Sequence, residues 1–123
     1  MQGGAVISKR AVIVARIKPG CEEKVAAIFA ESDATDLPKL AGIRHRCLFI
    51  LEDLYIHFIE TSEDAGAAVD HVRDHDLFRD ISKKLEPYIT PYNPETWRSP
   101  KDATARQFYE WNAEWSKATA NRT

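Results

Sequence analysis

The chain has 123 residues, of which 44% are hydrophobic, and it carries 17 Lys and Arg against 19 Asp and Glu. This length and apolar content predict a single domain over residues 1–115 with its own core, followed by a flexible tail over 116–123. The formal net charge of −2 disfavours nucleic-acid binding, and no apolar run approaches the ~20 residues that span a membrane. We therefore expect a protein that binds no nucleic acid and no membrane. Because Cys21 and Cys47 are far apart in sequence and nothing resembles a secretory signal, we also expect the protein to be cytoplasmic.

The first predicted elements are a strand and a helix. The segment Ala5–Ile17 contains a β-branched run and is stopped by Pro19, which predicts a strand. Glu22 and Glu23 then place acidic side chains in a first helical turn, and apolar residues recur at the spacing of a helix with one buried face. We expect this helix to end near Ser32.

A loop and a hairpin follow the first helix. The turn-forming residues between Asp33 and Gly42 predict a structured loop. Beyond it, the apolar runs Ile43–Leu51 and Leu54–Thr61 are separated by two residues only. Such a short connection predicts two antiparallel strands joined by a tight hairpin.

The last third is predicted to hold a helix, a loop and a strand. A helical apolar stripe begins after Asp64, bends or restarts around Asp74–Asp76, and stops at Pro87. The prolines between 87 and 100 predict an extended covering loop, and aromatic residues at strand period predict a final strand over Ala105–Trp115. The resulting order predicts an α+β, ferredoxin-like βαββαβ sandwich, with one antiparallel sheet and two helices on one of its faces.

The hairpin register predicts which side chains share a face of the sheet. If the two connecting residues form the turn, Leu48 lies opposite His57 and Ile50 lies opposite Tyr55, and side chains alternate between the faces. Arg46 then shares the face of His57 at a diagonal position, with the two Cβ atoms about 7–8 Å apart. Two polar groups at this separation are suited to grip one small polar ligand.

The predicted sheet is strongly apolar on both faces, although two helices can cover only one of them. The uncovered face needs a second chain or a lid, and a homodimer is the simplest arrangement that supplies one.

An ordinary structural role is also open for the pair Arg46 and His57. His57 fits a hydrogen-bonded core residue, and Arg46 fits a side chain that reaches water from a strand end.

A second candidate site is a histidine pair on the predicted second helix. His71 and His75 stand at i and i+4, the spacing of a metal-binding pair, with Asp74 and Asp76 beside them. No third ligand is assured at this spacing. We therefore favour an exposed polar junction between two helical segments, and we expect no bound metal.

Six segments in a fixed order resemble a known family: Asp33–Pro38, Gly42–Arg46, Asp53–His57, Leu77–Phe78, Tyr88–Tyr92 and Phe108–Trp111. Their order and spacing, over about residues 10–111, are similar to those of the tetracenomycin-type cyclases of aromatic, type II polyketide biosynthesis. The resemblance implies a small ferredoxin-like protein of the dimeric α+β barrel type that works without a cofactor. It also implies an activity, namely ring closure in a poly-β-ketone chain by aldol condensation and dehydration.

The resemblance further implies that Asp33, Arg46 and His57 are the catalytic residues. His57 would exchange a proton near neutral pH, Arg46 would hold enolate or carbonyl oxygens, and Asp33 would orient a water or act as a second base. Substrate contacts are expected from the following side chains: Leu48, Ile50, Tyr55, Tyr92 and Trp97. The expected partners are a poly-β-ketone or partly cyclised aromatic polyketide intermediate, the acyl carrier protein and other synthase components, and a second copy of the chain.

The chain departs from the family pattern at two places. It has Ser32-Asp33 where the family often has His followed by Asp, and His75-Asp76 where the family often has His-Pro. The first change removes a candidate acid or base. Two other functions stay open. A cofactor-free monooxygenase of an aromatic polyketide, which would add oxygen to its product, is one because such oxygenases resemble this fold and substrate, and the change at Ser32 favours the other, a non-catalytic polyketide-binding chaperone.

Overall fold

The computed structural model describes residues 9–98 and 100–114. The elements are, in chain order, β1 (Lys9–Ile17), α1 (Glu22–Asp33), α2 (Leu37–Ala41), β2 (Ile43–Leu51), β3 (Leu54–Thr61), α3 (Ala65–Val72), α4 (Asp76–Leu85), β4 (Ile89–Pro91) and a short 3-10 helix (Pro100–Ala103). The four strands form one antiparallel sheet in the order β2-β3-β1-β4. This is a split βαβ arrangement, so the predicted α+β, ferredoxin-like fold is confirmed. None of the helices among these residues is long and apolar enough to cross a membrane.

The β2–β3 hairpin has the predicted register. Leu48 pairs with His57 and Ile50 pairs with Tyr55. In the two-residue turn, Glu52 adopts a left-handed backbone with φ of 55°, which a side chain other than that of Gly or Asn adopts at a cost. At the far end of β2 the register shifts between Ile43 and His45. The strand therefore carries one extra residue at that point, as in a β-bulge.

All four helices contribute to one layer that packs on one face of the sheet. The shared core contains these buried residues: Val25, Phe29, Leu37, Ala41, Val72 and Ile81 from the helices, with Ala15, Ile17 and Tyr55 from the strands. On β3 every second residue is buried, beginning with Tyr55 and His57. The side chains between them point to the opposite face, which no helix within residues 9–98 and 100–114 covers. We call the two sides the helix-covered face and the open face.

The helical part of the prediction needs two refinements. The predicted loop between the first helix and the hairpin contains the short helix α2. Pro38 fits in the first turn of α2, and Gly42 ends the helix in a left-handed conformation with φ of 71°. The predicted second helix is interrupted as expected. It consists of α3 and α4, and the side chain of His75 caps α4 by accepting a hydrogen bond from the backbone N–H of Leu77.

The prediction for the last strand is wrong. The fourth strand is Ile89–Pro91, inside the stretch predicted to be a loop, and it pairs with β1. A proline fits there because β4 is an edge strand and one of its sides needs no N–H donor. Residues 105–112 form neither helix nor strand, and Phe108 is 87% exposed. Trp115 and the predicted tail over 116–123 lie outside the described residues.

Candidate active site

Arg46 joins Asp33 and His57 into one hydrogen-bonded chain. Its Nε and Nη2 donate to Oδ2 and Oδ1 of Asp33 at 3.0 and 2.8 Å, a bidentate geometry that fixes the plane of the guanidinium. Its Nη1 lies 2.9 Å from Nε2 of His57. The structure therefore brings together the three side chains that the sequence singled out, and a continuous polar path connects them.

Three different elements hold this chain in place. Asp33 is the last residue of α1, Arg46 lies on the edge strand β2, and His57 lies on the inner strand β3. The ring of Phe29 packs beneath two of them. The guanidinium carbon of Arg46 lies 4.8 Å from the ring centroid of Phe29, and the His57 ring meets Phe29 edge-on at 5.3 Å.

Sequence reasoning did not single out Phe29 as part of the site. A signal for it exists in the sequence, since Phe29 precedes Asp33 by four residues. Residues four apart lie on one face of a helix. The face of α1 that carries Asp33 therefore also carries the aromatic ring that supports Arg46.

Burial changes steadily along the polar chain. The Asp33 side chain is 38% exposed and the Arg46 side chain is 13% exposed, whereas His57 as a residue is 8% exposed. Beyond His57, the hydroxyl oxygen of the buried Tyr55 lies 3.1 Å from Nδ1 of the imidazole. Solvent reaches the Asp33 end of the chain, and the Tyr55 end lies in the core.

Burial also changes the acid–base properties of the inner groups. Burial first, and then the positive charge of Arg46, lowers the pKa of His57 to about 3. Burial raises the pKa of the Tyr55 phenol above its ordinary value, against a smaller lowering by the charge of Arg46. His57 is therefore neutral at pH 7, and its pKa in this conformation differs from the near-neutral value expected from the sequence.

The predicted substrate contacts divide between the two faces of the sheet. Leu48, Ile50 and Tyr55 share the helix-covered face with the polar chain, as the register predicted. Tyr92 and Trp97 instead line a cleft of about 380 Å³, together with side chains of the open face. The structure thus does not bring these two aromatic residues to Arg46 and His57. No pattern in the sequence indicates which face the segment after β4 covers.

A small cavity lies beside the residue that departs from the family pattern. It has a volume of about 30 Å³, and it is lined by Ser32 and Thr35 together with residues of α4 such as Leu77 and Ile81. A cavity of this size accommodates a water molecule. The side chain of Ser32 therefore borders the contact between α1 and α4, next to the outer end of the polar chain.

The histidine pair on the second helical region does not form a common site. His71 lies with Nε2 3.2 Å from Oε2 of Glu63, and His75 is occupied as the cap of α4. Among the residues that the structure describes, no group of three or more His, Cys, Asp or Glu side chains is arranged to hold a metal ion. Each histidine therefore has its own hydrogen-bond partner nearby in the chain, and the two do not face a common ligand position.

Comparison with known proteins places this geometry in context. A family model described as polyketide synthesis cyclase matches residues 9–112. The polyketide synthase CurG of Streptomyces cyaneus is 48% identical over 101 residues, which cover 82% of this chain and 94% of that protein. The tetracenomycin F2 cyclase of Streptomyces glaucescens is 42% identical over 104 residues, which cover 85% of this chain and 94% of that protein.

Solved structures give the same result. The structure of the tetracenomycin F2 cyclase, described as a type-II polyketide cyclase, matches with a TM-score of 0.78 over 85% of this chain and 98% of that one. A conserved protein from Methanosarcina mazei matches with a TM-score of 0.51 and 17% identity, over 68% of this chain and 83% of that one. The second match shows a shared fold alone. The first extends the resemblance seen in the sequence to the three-dimensional fold over 85% of this chain.

Proposed function

The chain belongs to the polyketide synthesis cyclase family, and we propose that it closes a ring in a poly-β-ketone or partly cyclised aromatic intermediate of type II polyketide biosynthesis. The proposed reaction is an intramolecular aldol condensation followed by loss of water. The observation that supports it is the chain Asp33–Arg46–His57, which places a fixed cation beside a neutral base in a largely buried setting.

Arg46 is proposed to stabilise the enolate. A methylene between two ketones is acidic, so the barrier falls when negative charge on oxygen is met by a donor that is already in place. The bidentate contact with Asp33 and the packing on Phe29 hold the guanidinium in one orientation. Because the Arg46 side chain is mostly buried, its charge acts on the substrate with little screening by water.

His57 is proposed to carry the proton. In the structure its Nε2 lone pair faces Nη1 of Arg46. When a substrate oxygen takes that hydrogen bond, Nε2 is released next to the same substrate, where it can remove the methylene proton. The enolate carbon then bonds to the target carbonyl carbon, and the resulting alkoxide takes the proton back from the imidazolium.

The lowered pKa makes His57 a weak base at rest, so removal of the methylene proton relies on Arg46 to stabilise the enolate as it forms. A base with a pKa of about 3 in the resting protein does not retain a proton beside Arg46, so the imidazolium passes it on to the alkoxide. Asp33, at the exposed end of the chain, is available to orient the water lost in the dehydration step. In the dehydration the α-carbon loses a proton and the carbon–oxygen bond breaks, and the proton and hydroxide leave together as water. No step in this scheme needs an oxidant or a reductant, and we therefore propose a reaction that needs no cofactor.

A homodimer is proposed as the working unit. The open face of the sheet leaves large apolar side chains in water, with Phe49 57% exposed and Leu51 62% exposed. The extended segment near the C-terminus adds Phe108, which is 87% exposed. Large apolar side chains exposed on one face of a sheet mark association surfaces, and two sheets packed through their open faces would cover Phe49 and Leu51 of each copy. The acyl carrier protein and other synthase components are proposed as further partners.

Reconstitution tests the proposed reaction. A minimal type II polyketide synthase is assayed with the wild-type chain, with Arg46→Leu, and without either, and product masses and ring patterns are compared. We expect the wild-type chain alone to enrich a product that has lost water and gained a defined ring. A product that has gained oxygen would identify a monooxygenase, and an unchanged product ratio would identify a binding chaperone. Either result would overturn the proposal.

A further inference from the structure

Tyr55 is the innermost member of the polar chain, and the scheme above assigns it no role. It is 5% exposed and belongs to the core cluster that also contains Phe29. Its hydroxyl oxygen lies 3.1 Å from Nδ1 of His57, and Nη1 of Arg46 lies 2.9 Å from Nε2. Each nitrogen of the imidazole therefore has one hydrogen-bond partner.

The chemistry of the two partners fixes the position of the imidazole proton. An arginine side chain only donates hydrogen bonds, so Nε2 of His57 must offer its lone pair to Arg46. A neutral imidazole carries one proton, which is then on Nδ1 and is donated to the oxygen of Tyr55. If Tyr55 donated instead, both ring nitrogens would be acceptors, and the ring would carry no proton.

We propose that Tyr55 is a positioning residue for His57: Arg46 sets the tautomer, and the hydroxyl oxygen of Tyr55 accepts the resulting Nδ1–H and so holds the ring in the orientation in which Nε2 exchanges the substrate proton. The catalytic consequence rests on the proposed function, whereas the tautomer is a property of the free protein. Tyr55 was expected from the sequence to contact substrate. The inference gives it a different role, in which it acts through His57.

The backbone makes this arrangement stiff. Tyr55 and His57 are two residues apart on β3, so their side chains leave the sheet on the same face, and their ring centroids lie 5.9 Å apart. Core packing around the Tyr55 ring holds the hydroxyl in place. Without that oxygen the buried Nδ1–H lacks an acceptor, and the ring is free to turn toward another one, because a proton moved to Nε2 would face the donors of Arg46.

A neutral acceptor also fits the proposed proton shuttle. In hydrolase triads a carboxylate accepts the Nδ1–H and stabilises the imidazolium. A tyrosine oxygen orients the ring in the same way but adds no negative charge. His57 is therefore held in a single tautomer and orientation while its protonated form stays short-lived.

The experiment combines nitrogen NMR with kinetics. Protein labelled with ¹⁵N-histidine is compared as wild type, Tyr55→Phe and Tyr88→Phe, and His57→Gln identifies the His57 signals among the four histidines of the chain. Tyr88→Phe is the matched control because Tyr88 is half-buried in the same layer and contacts the same core. In the wild type and in the control, we expect His57 to show the Nδ1–H pattern alone.

In Tyr55→Phe we expect His57 to keep the Nδ1–H pattern, because Arg46 still donates to Nε2, but we expect the Nδ1 signal to move and its proton to exchange with water faster, because that proton has lost its acceptor. We also expect kcat for cyclisation to fall roughly 10- to 100-fold, the range found when a partner that orients a histidine is removed, with KM changed less than about 2-fold. A wild-type spectrum with the proton on Nε2 would overturn the inference, and this measurement does not depend on the folding of any variant. So would a folded Tyr55→Phe with an unchanged Nδ1–H signal and unchanged kcat. If the wild type proved inactive in reconstitution, the proposed function would fail, while the spectra would still decide the tautomer.

Discussion

The two faces of the sheet come from the same strands, yet they are suited to different tasks. On the helix-covered face, the polar groups of Tyr55 and His57 are buried and hydrogen-bonded to one another. On the open face, Phe58 alternates with them along β3, and Phe49 of the neighbouring β2 is left 57% exposed. Proton-transfer chemistry needs fixed groups and little water, and the helix layer provides both, whereas an exposed apolar face is suited to association.

The largest effect is expected from breaking the polar chain. Arg46→Leu and His57→Leu should each lower correct cyclisation roughly 10- to 1000-fold, the range for lost oxyanion support or proton transfer. The double variant should be scarcely worse than the worse single one, because both groups act on one transition state. Product formation per folded protein is the measurement. Arg44→Leu, on the same strand but exposed, is the control, and normal cyclisation by folded Arg46→Leu would remove Arg46 from the mechanism.

The next largest effect concerns the open face. Phe49→Lys should weaken self-association at least about 10-fold, since it puts a charge where a large apolar side chain is expected to be buried between copies. Light scattering over a concentration series measures the change. Leu40→Lys, which alters an apolar residue of α2 that is 48% exposed, should leave association unchanged. A wild-type chain that stays at 14.0 kDa at micromolar concentration would contradict the dimer.

A smaller effect is expected in the pH dependence of stability. Unfolded His57 titrates near its ordinary pKa of 6.5, and in the folded protein the pKa is about 3. Between these values only the unfolded chain binds the proton, so the free energy of unfolding should fall by about 1.4 kcal/mol for each pH unit as pH drops below 6.5. Urea titrations from pH 7 to pH 4.5 measure this, relative to His57→Leu. An equal slope in that variant and in the wild type would show that His57 is not the group responsible.

The smallest effect is expected at the hairpin turn that keeps the two faces in register. Glu52→Gly should stabilise the protein by about 0.5 kcal/mol, because the left-handed backbone at this position costs glycine little. The midpoint of urea unfolding should rise without a change in slope. A lower midpoint would mean that the Glu52 side chain stabilises the fold more than its backbone conformation destabilises it.

The arrangement of the site along β2 and β3 could be predicted because local rules determine it. Two connecting residues define the hairpin, and side chains alternate along each strand, so Arg46, Leu48 and His57 had to share one face. The family resemblance added Asp33. Its pairing with Arg46 depends on how α1 ends above the sheet, and periodicity alone does not show where a helix ends to within a turn.

Other features depend on tertiary contacts that a pattern does not show. Pro91 was taken as part of a loop, but pairing with Ala15 at the sheet edge accommodates it in a strand. The low pKa of His57 arises from burial under the helix layer and from one neighbouring charge, so the ordinary value for histidine did not predict it. Likewise, the position of Trp97 depends on the path of a segment with no repeating pattern.

The extra residue near the start of β2 keeps Ile43 and Arg46 on the same face of the sheet. Ile43 and Arg46 are three positions apart, and strict alternation would send them to opposite faces, yet Ile43 packs on the helix-side core and Arg46 contacts Phe29. The β-bulge at Arg44 accounts for the extra residue and turns Ile43 back to the helix-covered face. The face of Arg46 is set separately, by the register that starts at the hairpin turn. Deletion of Arg44 would therefore place Ile43 and Arg46 two positions apart, so that regular alternation alone would keep both side chains on the helix-covered face and would leave the polar chain in place.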